Sequence, residues 1–423
     1  MGVFGCERAN MIRDKYLNID KIVEDKAILK LFRAVEANGG ILRFVGGAVR
    51  DAIAGIGGFD IDLATDLTPD ELVEVCEERG FKTVPIGIKY GTVGVVVEGR
   101  LFEVTSLRKD ISTDGRRAVV EFTDNWEVDA SRRDLTINAV YADEKGNVFD
   151  YYNGIEDLEK GIVQFIGKPD VRIKEDYLRI LRFFRFYSIF GKGPMDEKAF
   201  KACVANRKGI KKLSIERIVS EFKKILLTPK APEVLKIMFD KDILVSILPI
   251  STHLNSLEFM MRMTQDNIRP REEMRRLFVL YFPDKKFAES LANRLKFTRK
   301  LKDMFLRLAT VEVGFEDFED DTKLMKLIYR YGKEFGMDSF LIHLTKHRIH
   351  MEYLNDILDK IESCVVPMFP VRGRDIVSAG VIGNHKIGKI LTELEELWLE
   401  SDFSLNRDDL MKIAADKMKE DAS

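Results

Sequence analysis

Val45-Gly46-Gly47-Ala48-Val49-Arg50-Asp51, followed within ten residues by Phe59-Asp60-Ile61-Asp62-Leu63-Ala64, is the stretch on which the reading of this chain turns. The first segment reads as a strand that passes through two glycines into a helix. Glycines there let backbone N–H groups approach a phosphate, and a helix N-terminus favours anions. Arg50 would face the same phosphates. No Gly-Lys-Ser/Thr follows, so this is not a Walker A loop, and the spacing is not G-x-G-x-x-G. The second segment is an apolar strand carrying two carboxylates. Strand side chains alternate, so Asp60 and Asp62 share one face while Ile61 and Leu63 point to the other. Paired carboxylates repel, and a core would not hold them uncompensated. A divalent cation resolves the repulsion, and Mg²⁺ takes carboxylate and phosphate oxygens while keeping waters. Glu103, on a later strand, offers a third carboxylate.

Working outward, residues 41 to 150 alternate apolar and polar and hold many glycines. Ile41 to Val45 and Phe59 to Ala64 read as strands. Thr92 to Val97 and Leu101 to Ser106 flank Glu98-Gly99-Arg100, a hairpin signal. Thr68-Pro69-Asp70-Glu71 opens a helix that runs to about Arg79, with Thr68 as N-cap. After about Asn153 apolar residues recur at three and four spacing, as in Leu178, Leu181, Phe184 and Tyr187, which predicts an almost wholly helical remainder. The fold class expected is α+β: an N-terminal antiparallel or mixed sheet, then helices.

The chain has 423 residues and 48.6 kDa, which suggests two to four units. With 68 Lys+Arg and 70 Asp+Glu the formal charge is 68 − 70 = −2, which excludes a histone-like coat but not a local basic face. Residues 269 to 302 hold eleven Lys/Arg against four Asp/Glu, and this segment is the expected phosphate-backbone face. The acidic run Glu312 to Asp321 reads as a solvated loop. No apolar stretch long enough to span a membrane occurs, and the start lacks the apolar core of a signal peptide. The cysteines at 6, 76, 203 and 364 stand far apart. They read as reduced thiols of a cytoplasmic protein, without zinc or disulfides. His343, His347 and His350 share a helix face but have no carboxylate or Cys at a ligand-like offset, so a metal is not expected there. Phe183, Phe184 and Phe186 read as helix core.

Gly-Gly-x-x-Arg-Asp followed by D-x-D resembles the nucleotidyltransferase superfamily related to DNA polymerase β. Arg132-Arg133-Asp134-Leu135-Thr136-Ile137-Asn138-Ala139 resembles the R-R-D-x-x-x-N-A motif of class II tRNA nucleotidyltransferases, the CCA-adding enzymes. Glu175-Asp176-Tyr177-Leu178-Arg179, with Arg182 and Arg185 after it, is similar to their E-D-x-x-R motif and the Arg-rich helix that follows. Ser214-Ile215-Glu216-Arg217-Ile218 with Glu221 looks like the next motif. Gly373-Arg374-Asp375-Ile376 and Gly380 are similar to the family's tail. The motifs span roughly residues 42 to 227 in the family's order.

The resemblance implies a catalytic head over 1–153, a helical neck over 154–228 that selects the base, a helical body over 229–340 and a tRNA-binding tail over 341–423. It implies addition of C, C and A to the tRNA 3′ end from CTP and ATP without a nucleic-acid template. Asp60, Asp62 and Glu103 would be catalytic, the first two holding Mg²⁺. Gly46, Gly47, Arg50, Arg133, Asp134, Asn138, Glu175, Asp176, Arg179, Arg182 and Arg185 would bind nucleotide. Cytosine and adenine each present an amino donor beside a ring-nitrogen acceptor, whereas uracil and guanine present the reverse. An Asp only accepts and an Arg only donates, so Asp176 and Arg179, one turn apart on a helix, complement C and A alone. Glu175 would orient Arg179, and Arg182 and Arg185 would reach the triphosphate. The competing reading of both Arg-rich motifs is surface ion pairing. Residues 107 to 131 correspond to a flexible loop that the family needs for adding A after CC, so full CCA addition is expected. The alternatives are a poly(A) polymerase, a CC-only or A-only enzyme, and a catalytically dead RNA-binding protein. No membrane and no stable protein partner is implied.

Overall fold

The computed structural model describes residues 25–57, 61–113, 118–245, 247–264, 270–350, 352, 354–379 and 384–420. The chain divides into two compact units, 1–250 and 251–423, so the division falls inside the segment expected as a body.

In the first unit the order is α1 (Lys26–Ala37), β1 (Leu42–Val45), α2 (Gly47–Ile53), β2 (Asp62–Thr65), α3 (Pro69–Glu78), β3 (Lys82–Gly87), β4 (Thr92–Val97), β5 (Arg100–Ser106), β6 (Arg108–Thr113), β7 (Ala118–Phe122), α4 (Trp126–Ser131), β8 (Val140–Ala142) and β9 (Val148–Asp150). Helices α5 (Gly154–Lys160), α6 (Pro169–Glu175), α7 (Leu178–Phe190), α8 (Glu197–Asn206), α9 (Ile215–Leu226) and α10 (Ala231–Asp240) follow. Seven strands form one sheet in the order β3-β4-β5-β2-β1-β8-β9, and β6 pairs with β7 apart from it. The sheet is mixed: β2 runs parallel to β5, while β1 is antiparallel to both β2 and β8.

Local chemistry explains several of these elements. Thr68 caps α3, its hydroxyl accepting from the Glu71 backbone while the Glu71 carboxylate accepts from the Thr68 backbone N–H. That reciprocal pair satisfies two otherwise orphaned donors. Between β4 and β5 both Glu98 and Gly99 have positive φ, 52° and 79°. This is the geometry of a tight hairpin turn whose twist matches the strands. One sheet face carries Phe44, Leu63, Val93, Val95, Phe102 and Val104 into a core shared with Ile28, Leu31 and Leu72 of α1 and α3. The other face holds a smaller cluster of Val45, Ala64, Trp126 and Tyr141. Alternation along β2 therefore leaves Asp62 on the second face, where it is exposed.

Several expectations shift. Among the described residues β2 begins at Asp62, with Ile61 before it outside the strand; Phe59 and Asp60, expected on the same strand, lie outside the described residues. Residues 137 to 142 read as a strand with Arg132 to Asp134 at its entry, but only Val140–Ala142 is strand; Thr136–Asn138 forms a 3₁₀ turn, so Arg132 to Asp134 leave the end of α4. Asp176 and Arg179, expected one turn apart on a single helix, stand where two helices meet. Asp176 is extended (φ −153°, ψ 107°), because its carboxylate accepts from the Leu178 backbone N–H and so starts α7 instead of continuing α6. Phe183, Phe184 and Phe186 are buried, as read.

Every element of the second unit among its described residues is a helix. The acidic run is not merely a loop: Glu316–Glu319 is a short helix that buries Phe318. Within the basic segment Arg275 and Arg276 are buried, not exposed to phosphate. Arg275 donates to Glu272 and Asp338, each at 2.6 Å, and Arg276 donates to Glu272 at 2.9 Å. A buried guanidinium persists only when paired in this way. His347 ends the helix Lys333–His347, and His350 lies beyond it, against Phe259.

Candidate active site

Gly46 precedes α2 with φ 65° and ψ −118°, a conformation that disfavours any side chain. Its N–H donates to the Val140 carbonyl at 3.1 Å, which fixes the glycine turn against β8. A Cβ placed on Gly46 would stand 3.5 Å from an Arg133 terminal nitrogen, and one on Gly47 would stand 3.7 Å from an Arg50 nitrogen. The bare backbone of the turn is therefore flanked by two guanidinium groups.

Asp62 on β2 and Glu103 on β5 are directly registered partners in parallel strands, so their side chains leave the same face side by side. Both are exposed on that face. Asp60 would lie two residues before Asp62 and falls outside the described residues. An open pair of carboxylates is a donor set that fits a hard divalent cation. Among the described residues no cluster of three or more His, Cys, Asp or Glu has metal-binding geometry.

A buried polar chain runs from the glycine turn to α7. Arg50 donates to both Asp51 oxygens, at 2.8 and 2.9 Å, and to Oδ1 of Asn138. Asn138 donates to Asp134 at 3.0 Å, and Asp134 accepts from Arg182 Nε at 2.5 Å. Burial would raise the Asp134 carboxyl, but Arg182 beside it and the Asn138 hydrogen bond hold it well below the usual carboxylate range. Burial lowers the Arg50 pKa despite Asp51. Phe186 underlies Arg50, Arg182 and Arg185, with guanidinium carbons 4.7, 5.2 and 4.4 Å from its ring centre. Arg185 pairs with Glu221 at 2.8 Å. The arginines expected to face a triphosphate are thus carried on one aromatic residue and balanced by acids.

The base-selecting group is assembled by tertiary contacts. Glu175 accepts from both Arg172 and Arg179. Arg179 also donates to the carbonyls of Arg172 (2.9 Å) and Arg132 (3.3 Å). Arg172 reaches the carbonyls of Ser131 and Arg133. The second oxygen of Asp176 accepts from Arg217 at 2.7 Å. Tyr177, between Asp176 and Arg179, lies against Gly209, whose Cβ position would be 2.0 Å from the ring. Arg172 and Arg217 hold this geometry, while Asp129 and Tyr141 hold Arg133; none of the four is among the site residues expected from the sequence. Their signal in the sequence is spacing alone: Asp129 lies three and four residues before Arg132 and Arg133, and Arg172 three before Glu175.

Comparison with known proteins places these elements. Residues 42–164 match the Poly A polymerase head domain, and residues 194–254 match a domain described as the probable RNA and SrmB-binding site of polymerase A. The chain is 34% identical over 377 residues to the human mitochondrial CCA tRNA nucleotidyltransferase 1, covering 88% of this chain and 85% of that protein. It is 31% identical over 365 residues to the CCA-adding enzyme of Staphylococcus saprophyticus, covering 83% and 87%. Its fold is similar to the crystal structure of the Bacillus stearothermophilus CCA-adding enzyme in complex with CTP, with TM-score 0.73 at 22% identity over 93% of this chain and 98% of that one. The likeness to those relatives covers 83% or more of this chain and 85% or more of theirs, and the chain belongs to the family of CCA-adding tRNA nucleotidyltransferases.

Proposed function

We propose that this protein adds C, C and A to the 3′ end of tRNA from CTP and ATP. The observation that carries the reading is family membership over nearly the full chain, joined to an exposed pair of registered carboxylates, Asp62 and Glu103, beside a glycine turn flanked by Arg50 and Arg133. Asp60, Asp62 and Glu103 would hold divalent ions, Mg²⁺ by preference. Bound there, such ions acidify the primer 3′-OH and neutralise the triphosphate. The Gly46-Gly47 backbone, Arg50 and Arg133 hold phosphates. Asp134 and Asn138 fix the arginines of two elements relative to each other. Asp176 accepts the amino proton of C or A. Arg179 spends Nη1 and one Nη2 proton on Glu175 and on the Arg172 and Arg132 carbonyls, and the remaining two-donor edge of its guanidinium can meet the ring nitrogen and reject U or G.

The neck supplies an RNA face. Lys208, Lys211 and Lys212 are exposed, and Lys212 lies 5.4 Å from the Tyr177 ring. They fall inside the matched RNA-binding segment. Cys76 and Cys203 are buried thiols, which suits a reducing compartment, and we retain the cytoplasm as the expected one. No helix among the described residues is long and apolar enough to cross a membrane.

The test is a tRNA truncated before CCA, incubated with each NTP alone and with CTP and ATP together. Two C with CTP alone and one terminal A when ATP is added are expected. A long A tract would favour the poly(A) alternative, and a halt at CC in the mixture would mark a partial enzyme. Omission of Mg²⁺ should stop all incorporation.

A further inference from the structure

Asp129 is 1% exposed, and four donors converge on it. Oδ1 accepts from Arg132 Nε at 2.8 Å and from the Arg108 backbone N–H at 3.3 Å. Oδ2 accepts from Arg133 at 3.0 Å and from the Tyr141 hydroxyl at 2.8 Å. The Tyr141 oxygen in turn accepts from Arg133 Nε at 3.1 Å. Two of the three Arg133 nitrogens are thereby committed. The third is the one that stands 3.5 Å from a Cβ position on Gly46. With Nε held by Tyr141 and one terminal nitrogen by Asp129, the aim of the third nitrogen is set by those two residues.

We infer that Asp129 is a positioning residue for the nucleotide triphosphate: with Tyr141 it aims Arg133 at the Gly46-Gly47 turn, where the arginine meets a phosphate. Its bond to Arg108 also ties that aim to the root of the β6–β7 hairpin. The inference rests on the reading of Arg133 as a nucleotide contact. Electrostatics agree with the geometry. Burial would raise the Asp129 carboxyl, but Arg133, Arg132 and the Tyr141 hydroxyl hold it down at about 2, so it stays anionic at any working pH. Its charge is needed because two guanidinium groups share it. A preset donor acts without reorganisation when the anion arrives.

The experiment measures kcat, KM for CTP and ATP on the matching truncated tRNAs, KM for tRNA, and Tm, for Asp129→Asn, Tyr141→Phe, Arg133→Ala and the Asp129→Asn/Arg133→Ala double variant. A charge-assisted hydrogen bond lost to a phosphate corresponds to about tenfold or more in binding. Arg133→Ala should raise both nucleotide KM values by about that factor. Asp129→Asn should raise them by about tenfold with tRNA KM unchanged, and Tyr141→Phe by a smaller factor in the same direction. The double variant should be no worse than Arg133→Ala, since both changes remove one function. If Arg133→Ala leaves nucleotide KM unchanged, the underlying site reading fails. If Arg133→Ala raises it while Asp129→Asn only lowers Tm and active fraction, Asp129 is structural and the proposal is wrong. Should Asp129→Asn not fold, Tyr141→Phe decides: unchanged nucleotide KM overturns the proposal.

Discussion

Asp176 shows how much a single residue's role depends on neighbours far away in sequence. Its two oxygens serve the Leu178 N–H and Arg217, yet each keeps lone pairs for a base amino group. Asp176→Ala should drop CTP efficiency by roughly tenfold to a hundredfold, the cost of one hydrogen bond to a base edge, about 1–3 kcal/mol. It should also relax discrimination against UTP. The check is kcat/KM for CTP, ATP, UTP and GTP; an unchanged CTP-to-UTP ratio would leave Asp176 as a helix cap and ion-pair partner only. The residue type was legible because Asp accepts and Arg donates. Its backbone was not, because a short acid that can bond its own chain two residues on competes with the helix.

At the scale of elements, α6, α7 and the 3₁₀ turn Arg207–Lys212 meet around Tyr177. Gly209 is there because its missing side chain leaves room for the ring, with 2.0 Å to a hypothetical Cβ. Gly209→Ala must push Tyr177, and with it the turn between Asp176 and Arg179. Overpacking of this kind costs about 1–3 kcal/mol. We expect a lower Tm together with a fall of about tenfold in kcat/KM for both CTP and ATP, read by thermal melting and steady-state rates; a Tm loss with normal rates would mean that the turn tolerates the shift. Helix α3, by contrast, was legible to its boundary, since Thr68, Pro69 and Glu71 fix its start through contacts no more than three residues apart.

For the whole molecule, net charge −2 hides local faces of one sign. Affinity for tRNA should fall with salt, log K against log[salt] losing about 0.9 per phosphate contact by analogy with duplex DNA. Replacing Lys208, Lys211 and Lys212 together with Ala should flatten that slope by two or more contacts and raise tRNA KM while leaving nucleotide KM alone. A slope unchanged from wild type in a filter-binding titration would remove the neck from the RNA face. In the second unit only the exposed cations can contribute, because Arg275 and Arg276 are spent on Glu272 and Asp338.

The sequence by itself determined what depends on local pattern and residue chemistry. It determined the alternation that puts Asp62 opposite a core, the tight turn at Glu98-Gly99, the cap at Thr68, the switch to helix after residue 153, and the motif order that marks the family. Only the tertiary structure decided which charges face ligand and which face each other. Arg50 and Asp51, or Arg182 and Asp134, look alike as letters; the fold joins them through Asn138, 88 residues from Arg50. The basic run at 269–302 reads as one face, yet helix packing turns two of its arginines inward, where desolvation forces them onto buried acids. Asp129 is illegible in the sequence for the same reason: four donors from three separate elements converge on it, and only folding brings them to one carboxylate.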